Sequence, residues 1–99
     1  MSDRELLELA AKAGGIEFGG GYFWRSDGIP WNPLTDDGDA LRLAVKLGLT
    51  VAQLMSNREV LVNDYDETVL ISEFHEADPY AATRRAITSA AAEIGRNMK

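Results

Sequence analysis

The chain contains no cysteine. Disulfides, thiolate nucleophiles and sulfur-ligated metals are therefore excluded, and the absence suits a reducing compartment. A single histidine, His75, leaves no second imidazole to share a metal. Basic residues are also scarce: ten Lys and Arg face sixteen Asp and Glu, for a formal net charge of −6. Acids run from Asp3 to Glu93 and no basic stripe interrupts them. A phosphate-backbone footprint is missing, so nucleic acid is not an expected partner. No apolar run approaches the ~20 residues of a membrane span. The first residues lack the apolar stretch of a signal peptide. The expectation is a cytoplasmic protein of whatever cell contains it, with no membrane partner. There is no internal repeat and no low-complexity linker.

What is present is a globular composition, 45% hydrophobic and 26% charged, over 99 residues. That length suits one domain spanning residues 1–99. Ser2 or Asp3 caps a first helix over about residues 3–13, with Leu6, Leu9, Ala10 and Ala13 on one face and Gly14-Gly15 ending it. Residues 16–31 read as a loop with a short strand near 21–25, because Gly19-Gly20-Gly21 interrupts an otherwise strand-like aromatic run. Ser26-Asp27-Gly28 is a turn, and Pro30 and Pro33 stiffen the approach to the next helix. That helix covers about 36–47, capped by Asp36 or Thr35 and closed by Gly48. Leu41, Ala44 and Val45 form one side of it, widened by Leu43 and Leu47.

Three strands follow near 50–55, 59–63 and 68–75, with turns at Asn57-Arg58 and Asn63-Asp64-Tyr65-Asp66. Their connections are too short for parallel crossovers, so the pairing is antiparallel. Apolar residues fall on both faces of these strands, which predicts helices over both faces, at least in part. Asp78-Pro79 opens the last helix, about 79–96, with Tyr80, Thr83, Ile87, Ala90, Ala91, Ile94 and Met98 on one face. The fold class is α+β: a three-stranded antiparallel sheet flanked by about three helices, in the order α–(loop or short β)–α–β–β–β–α.

Two motifs carry a resemblance. Trp31-Asn32-Pro33 runs into Asp36-Asp37-Gly38-Asp39-Ala40-Leu41-Arg42-Leu43. Later come Asp78-Pro79-Tyr80-Ala81-Ala82-Thr83-Arg84-Arg85-Ala86-Ile87 and Ala90-Ala91-Ala92-Glu93-Ile94-Gly95. Together they resemble the small proteins of tailed phages and prophages grouped as the phage ABA sandwich domain. The likeness covers nearly the whole chain, except the glycine-rich stretch at 19–21. It implies a phage or prophage origin and an α/β/α sandwich. It transfers no activity, cofactor or catalytic residue.

The candidate chemistry is sparse. Asp36, Asp37 and Asp39 could bind a divalent cation, but their register fails the EF-hand pattern, as does that of Asp64, Asp66 and Glu67. Helix capping and dipole complementation explain the first three. Gly19-Gly20-Gly21 has neither P-loop nor dinucleotide spacing. Ser72, His75 and Asp78 make a triad only on paper. Phe18, Tyr22, Phe23, Trp24 and Trp31 crowd one segment and serve either as a recognition surface or as the edge of the core. Arg84 and Arg85 grip an external anion or pair on the surface, Arg84 with Tyr80 or Thr88 and Arg85 over the sheet edge with an acid such as Glu73. The expectation is a non-catalytic accessory protein without cofactor or metal. It would dock on a host or phage protein through a surface of Tyr22, Phe23, Trp24, Trp31, Arg84 and Arg85. A symmetric homodimer through an uncovered edge strand or the aromatic segment is an added expectation. The alternative is a small-ligand protein that sequesters a nucleotide-type molecule, stacking it on Trp31 or Trp24 and holding phosphate with Arg84 or Arg85.

Overall fold

The computed structural model describes residues 2–25, 27–66, 69–74 and 78–98. The helices start where short polar side chains can take their free N–H groups. Ser2 accepts from the Glu5 N–H to open α1 (Asp3–Gly14), and Asp36 accepts from the Asp39 N–H to open α2 (Asp37–Leu47). Asp78 accepts from the N–H groups of Tyr80 and Ala81 to open α3 (Pro79–Arg96), with Pro79 in the first turn. Gly15 and Gly48 close α1 and α2 in the left-handed conformation that a side chain would resist.

The short strand expected near 21–25 is present at Tyr22–Trp24, but the rest of the expected loop at 16–31 supplies a partner strand, so the segment holds a hairpin. β1 (Glu17–Gly19) pairs antiparallel with β2 (Tyr22–Trp24). Gly20 and Gly21 both have positive φ and form its two-residue turn, so the triple glycine joins two strands rather than interrupting one. The Trp24 indole donates to the Gly19 carbonyl at 2.7 Å and fastens the hairpin.

The second sheet is the expected antiparallel meander of β3 (Thr50–Leu54), β4 (Glu59–Asn63) and β5 (Leu70–Phe74), in that spatial order. A short 3-10 turn at Met55–Asn57 links β3 to β4. Cross-strand register puts Val51, Val62 and Ile71 in one row and Gln53, Val60 and Glu73 in the next. This face meets α3: Val60 and Val62 are fully buried, and the Gln53 amide donates to the Thr83 hydroxyl at 2.6 Å.

The mixed α+β class and the three-stranded sheet with its helices are as expected, but the layers stack in a different order. α3 lies against β4 and β5, while α1 and α2 pack on α3. The opposite sheet face, with Leu54, Leu61, Leu70 and Phe74, carries no helix among the described residues, and Leu70 and Phe74 are exposed. Helix coverage of both faces is therefore corrected to coverage of one. The reason lies in α3, which is buried on two sides rather than one. Besides Ile87, Ala90 and Ala91, it buries Ala86, Thr88, Ala92 and Gly95. The Thr88 hydroxyl is satisfied within the helix by donating to the Arg84 carbonyl at 2.8 Å.

Small residues let α1 and α3 touch backbone to backbone. A Cβ added at Gly95 would stand 1.9 Å from the Leu9 carbonyl oxygen. Gly95→Ala is therefore expected to destabilise the protein by about 1–3 kcal/mol or more, as overpacking does. The gain in helix propensity, about 1 kcal/mol, cannot offset a clash with main chain. Urea denaturation of the two proteins checks this, and an alanine variant as stable as the parent would contradict the close approach.

Candidate functional site

The corner from residue 23 to α2 is built around one carboxylate. The Trp31 N–H donates to the Phe23 carbonyl at 2.8 Å, and Arg25 and Ile29 close the intervening turn with a main-chain bond at 2.9 Å. This folds the chain back so that Asn32 meets the start of α2. Asp39, 2% exposed, accepts from the Asn32 N–H at 2.9 Å, from Arg42 at 2.7 Å and from Arg25 at 3.4 Å. Arg25 also holds Asp27 through two side-chain bonds. The Arg25 guanidinium draws the Asp27 carboxyl down to about 2, and Asp27 in turn raises Arg25. Asp36 caps α2 and lies 3.7 Å from Arg42, and Asp37 pairs with Arg84 at 2.6 Å. The three aspartates thus face N–H and guanidinium donors. Among the described residues no group of three or more potential metal ligands converges.

The six residues singled out in the sequence do not share a surface. Phe23 and Trp31 are buried and meet edge-on, their ring centroids 6.1 Å apart. Trp24 is half-buried and turned toward its own hairpin, and Tyr22 is exposed beside it. The Arg4 guanidinium covers Phe18 at 4.8 Å from the ring centroid. Arg84 is largely buried; it donates to the Leu34 carbonyl at 2.9 Å and to Asp37, so it ties α3 to the tryptophan–proline corner. Arg85 reaches Asp3 at 3.1 Å and ties α3 to α1. Both arginines pair within the molecule, and Arg85 does so with an acid as expected, but the side-chain partners are Asp37 and Asp3 rather than Tyr80, Thr88 or Glu73. His75 and Glu67 lie outside the described residues.

A different place collects unsatisfied apolar surface. On α2, Ala40, Leu43 and Ala44 face the core, whereas Leu41 and Val45, expected to share the core side with Ala44, are 64% and 74% exposed. Together with Val51 of β3 and Tyr80 of α3, Leu41 borders an open groove of about 400 Å³. Its floor is Ala40, Ala44 and Ile87, and the Asp37–Arg84 pair lines it too. β3 borders the groove with one edge unpaired among the described residues, where its sheet neighbour is β4. The sequence carried a signal for this groove: α2 has more large apolar residues than one buried stripe can use.

A second cavity, about 280 Å³, is lined by Arg25, Arg42 and Lys46 around Ile16, Trp31 and Leu43. Its cations are engaged. Lys46 donates to the Gly14 carbonyl at 2.6 Å, and the two arginines hold Asp27, Asp36 and Asp39.

Two outcomes follow for this corner. Asp39→Ala leaves the Asn32 N–H without its acceptor and separates two arginines from their shared carboxylate. It is expected to cost about 3 kcal/mol, with Asp39→Asn costing less because the amide oxygen still accepts. Urea titration measures both. Hydrogen bonding to Arg25 makes the Asp27 carboxyl ionise more readily folded than unfolded, at about 2 against an ordinary 3.8. Its contribution to stability is therefore complete above about pH 4 and disappears as pH falls toward 2. The stability gap between wild type and Asp27→Asn is expected to close over that interval. A gap unchanged by acid would refute the Arg25–Asp27 assignment.

No helix among the described residues is long and apolar enough to cross a membrane. No family model, curated protein or solved structure matches the chain.

Proposed function

We propose that the chain is a small, non-catalytic protein-interaction module that works by docking on another polypeptide. The observation that carries this reading is the groove between α2 and β3. There Leu41 stands in water beside an unpaired strand edge, and Val45 is exposed one turn further along α2. Exposed aliphatic side chains next to free main-chain donors and acceptors suit a polypeptide partner, which offers both apolar side chains and strand hydrogen bonds. The docking surface is thus moved from the aromatic segment to the groove, because Phe23, Trp31, Arg84 and Arg85 already serve the fold. A role as a phage or prophage accessory factor in the host cytoplasm, contacting a host or phage protein, belongs to the same proposal. It is supported by the Trp31–Leu43 and Asp78–Gly95 motifs alone.

The nucleotide-type alternative has one observation in its favour, the convergence of Arg25, Arg42 and Lys46 on a cavity beside Trp31. Asp27, Asp36 and Asp39 offset those charges, so little field remains to attract a phosphate.

A photo-crosslinking residue placed at Val45 is expected to form polypeptide adducts in cells or at working concentration. The same residue at Tyr65, exposed in the β4–β5 turn, is expected to form none. Millimolar nucleotide is expected to leave the melting temperature unchanged, since a ligand of the native state must raise it. Absence of adducts at Val45 combined with a nucleotide-dependent shift would replace the first reading by the second.

A further inference from the structure

We propose that the polypeptide that fills this groove is a second copy of the same chain. The two copies pair through β3 about a two-fold axis, with the Leu41–Val45 stripe of each α2 packing on its symmetry mate beneath the joined strands. The inference rests on the reading of the groove as a docking site and names its occupant.

The first argument is the difference between the sheet's two edges. Sheet edges that remain free are guarded by charges, prolines or bulges. β5 places Glu73 on the face turned toward α3, an inward charge that discourages a further strand. The outer edge of the β1–β2 hairpin is occupied by Pro30, which bridges Trp24. β3 has none of these devices. Its five residues, Thr50–Leu54, include no charge and no proline, and they pair one-to-one with β4 without a bulge. The edge is built like one that is covered.

The second argument is self-complementarity. A two-fold axis through Ala52 sets Thr50 opposite Leu54, Val51 opposite Gln53 and Ala52 opposite itself. No like charges meet, although the chain as a whole carries −6. Most other surfaces of so acidic a molecule would repel their own copies.

The third argument chooses a second copy over an extended peptide. A five-residue strand pair alone is marginal in water. A lone strand laid on β3 would leave the outer side of Leu41 and Val45 in solvent. A second copy brings its own Leu41 and Val45, one helical turn apart and therefore self-matching across the axis. Strand pairing and helix packing then close in one step.

Sedimentation of wild type over a wide concentration range is expected to show a reversible dimer. The double substitution Thr50→Glu with Leu54→Glu sets like charges opposite each other twice per dimer. It is expected to weaken association at least about tenfold. Thr50→Glu with Leu54→Lys sets opposite charges there and is expected to retain association. If the first variant fails to fold by circular dichroism, Val45→Glu, at a site open to water in the monomer, must weaken the dimer instead. A wild type that stays monomeric at every concentration overturns the proposal, as does equal association of the two charge variants. A monomer that accepts an extended library peptide along β3 also overturns self-pairing, while leaving the interaction reading intact. Loss of both peptide binding and the Val45 adducts removes that reading as well.

Discussion

Much of the molecule's shape depends on where Asp39 puts its charge. A carboxylate this buried is tolerable only when donors surround it. Here they come from three separate stretches of chain: the Arg25 turn, the Asn32 corner and α2 itself. The bonds are not interchangeable. The Asn32 N–H fixes the angle at which the chain enters α2, and Arg25 pins the far end of the loop that carries Phe23 and Trp31 into the core. Arg42, more exposed, supplies charge at less geometric cost. One side chain thereby converts the proline-containing stretch between β2 and α2, which has little regular structure of its own, into a fixed wall of the core.

That wall determines the layer order. With Trp31 and Phe23 filling the space beside α1 and α2, the long helix α3 is left between them and the sheet. A helix in that position must be narrow on two sides, and its composition meets the demand. Ala86, Ala90, Ala91 and Ala92 are buried, and Gly95 meets the α1 main chain. The same narrowness limits what α3 can cover. It lies under β4 and β5, while β3 stands at its margin above α2. The groove is the geometric remainder of a sheet wider than the helix that supports it.

Local chemistry in the sequence was legible where a single residue suffices to make it. The caps at Ser2, Asp36 and Asp78 and the glycine stops at Gly15 and Gly48 stand as the pattern implies. The meander was legible because short connections allow no other pairing. What could not be seen depends on three dimensions. Arg84 and Arg85 choose partners 47 and 82 residues away, and no spacing rule reaches that far. Gly20-Gly21 reads equally well as a break or as a turn until the strands on either side are known to pair. The apolar residues on both sheet faces looked like evidence for two helix layers. They are better explained by one layer and one open face. For the candidate site, the excess of Leu41 and Val45 on α2 was visible in the sequence. Their exposure was not, because the hydrophobic stripe of a helix does not say which half of it the core will take.

The charge distribution ties these features to one another. Several of the chain's acids bind something: they sit on helix starts, on Arg25 and Arg42, and on the α3 arginines through Asp3 and Asp37. Each such pair removes one acid and one cation, so the surplus of sixteen acids over ten Lys and Arg, a net charge of −6, is left over whatever the pairing. An acidic exterior repels its own kind at long range and over most orientations. It therefore penalises random contact between molecules and leaves approach open only where charge is absent. β3 with its flanking stripe of α2 is such a place, bounded by an Asp37–Arg84 pair that is already neutral. The same electrostatics that fixes the corner around Asp39 also restricts the direction from which another polypeptide can come.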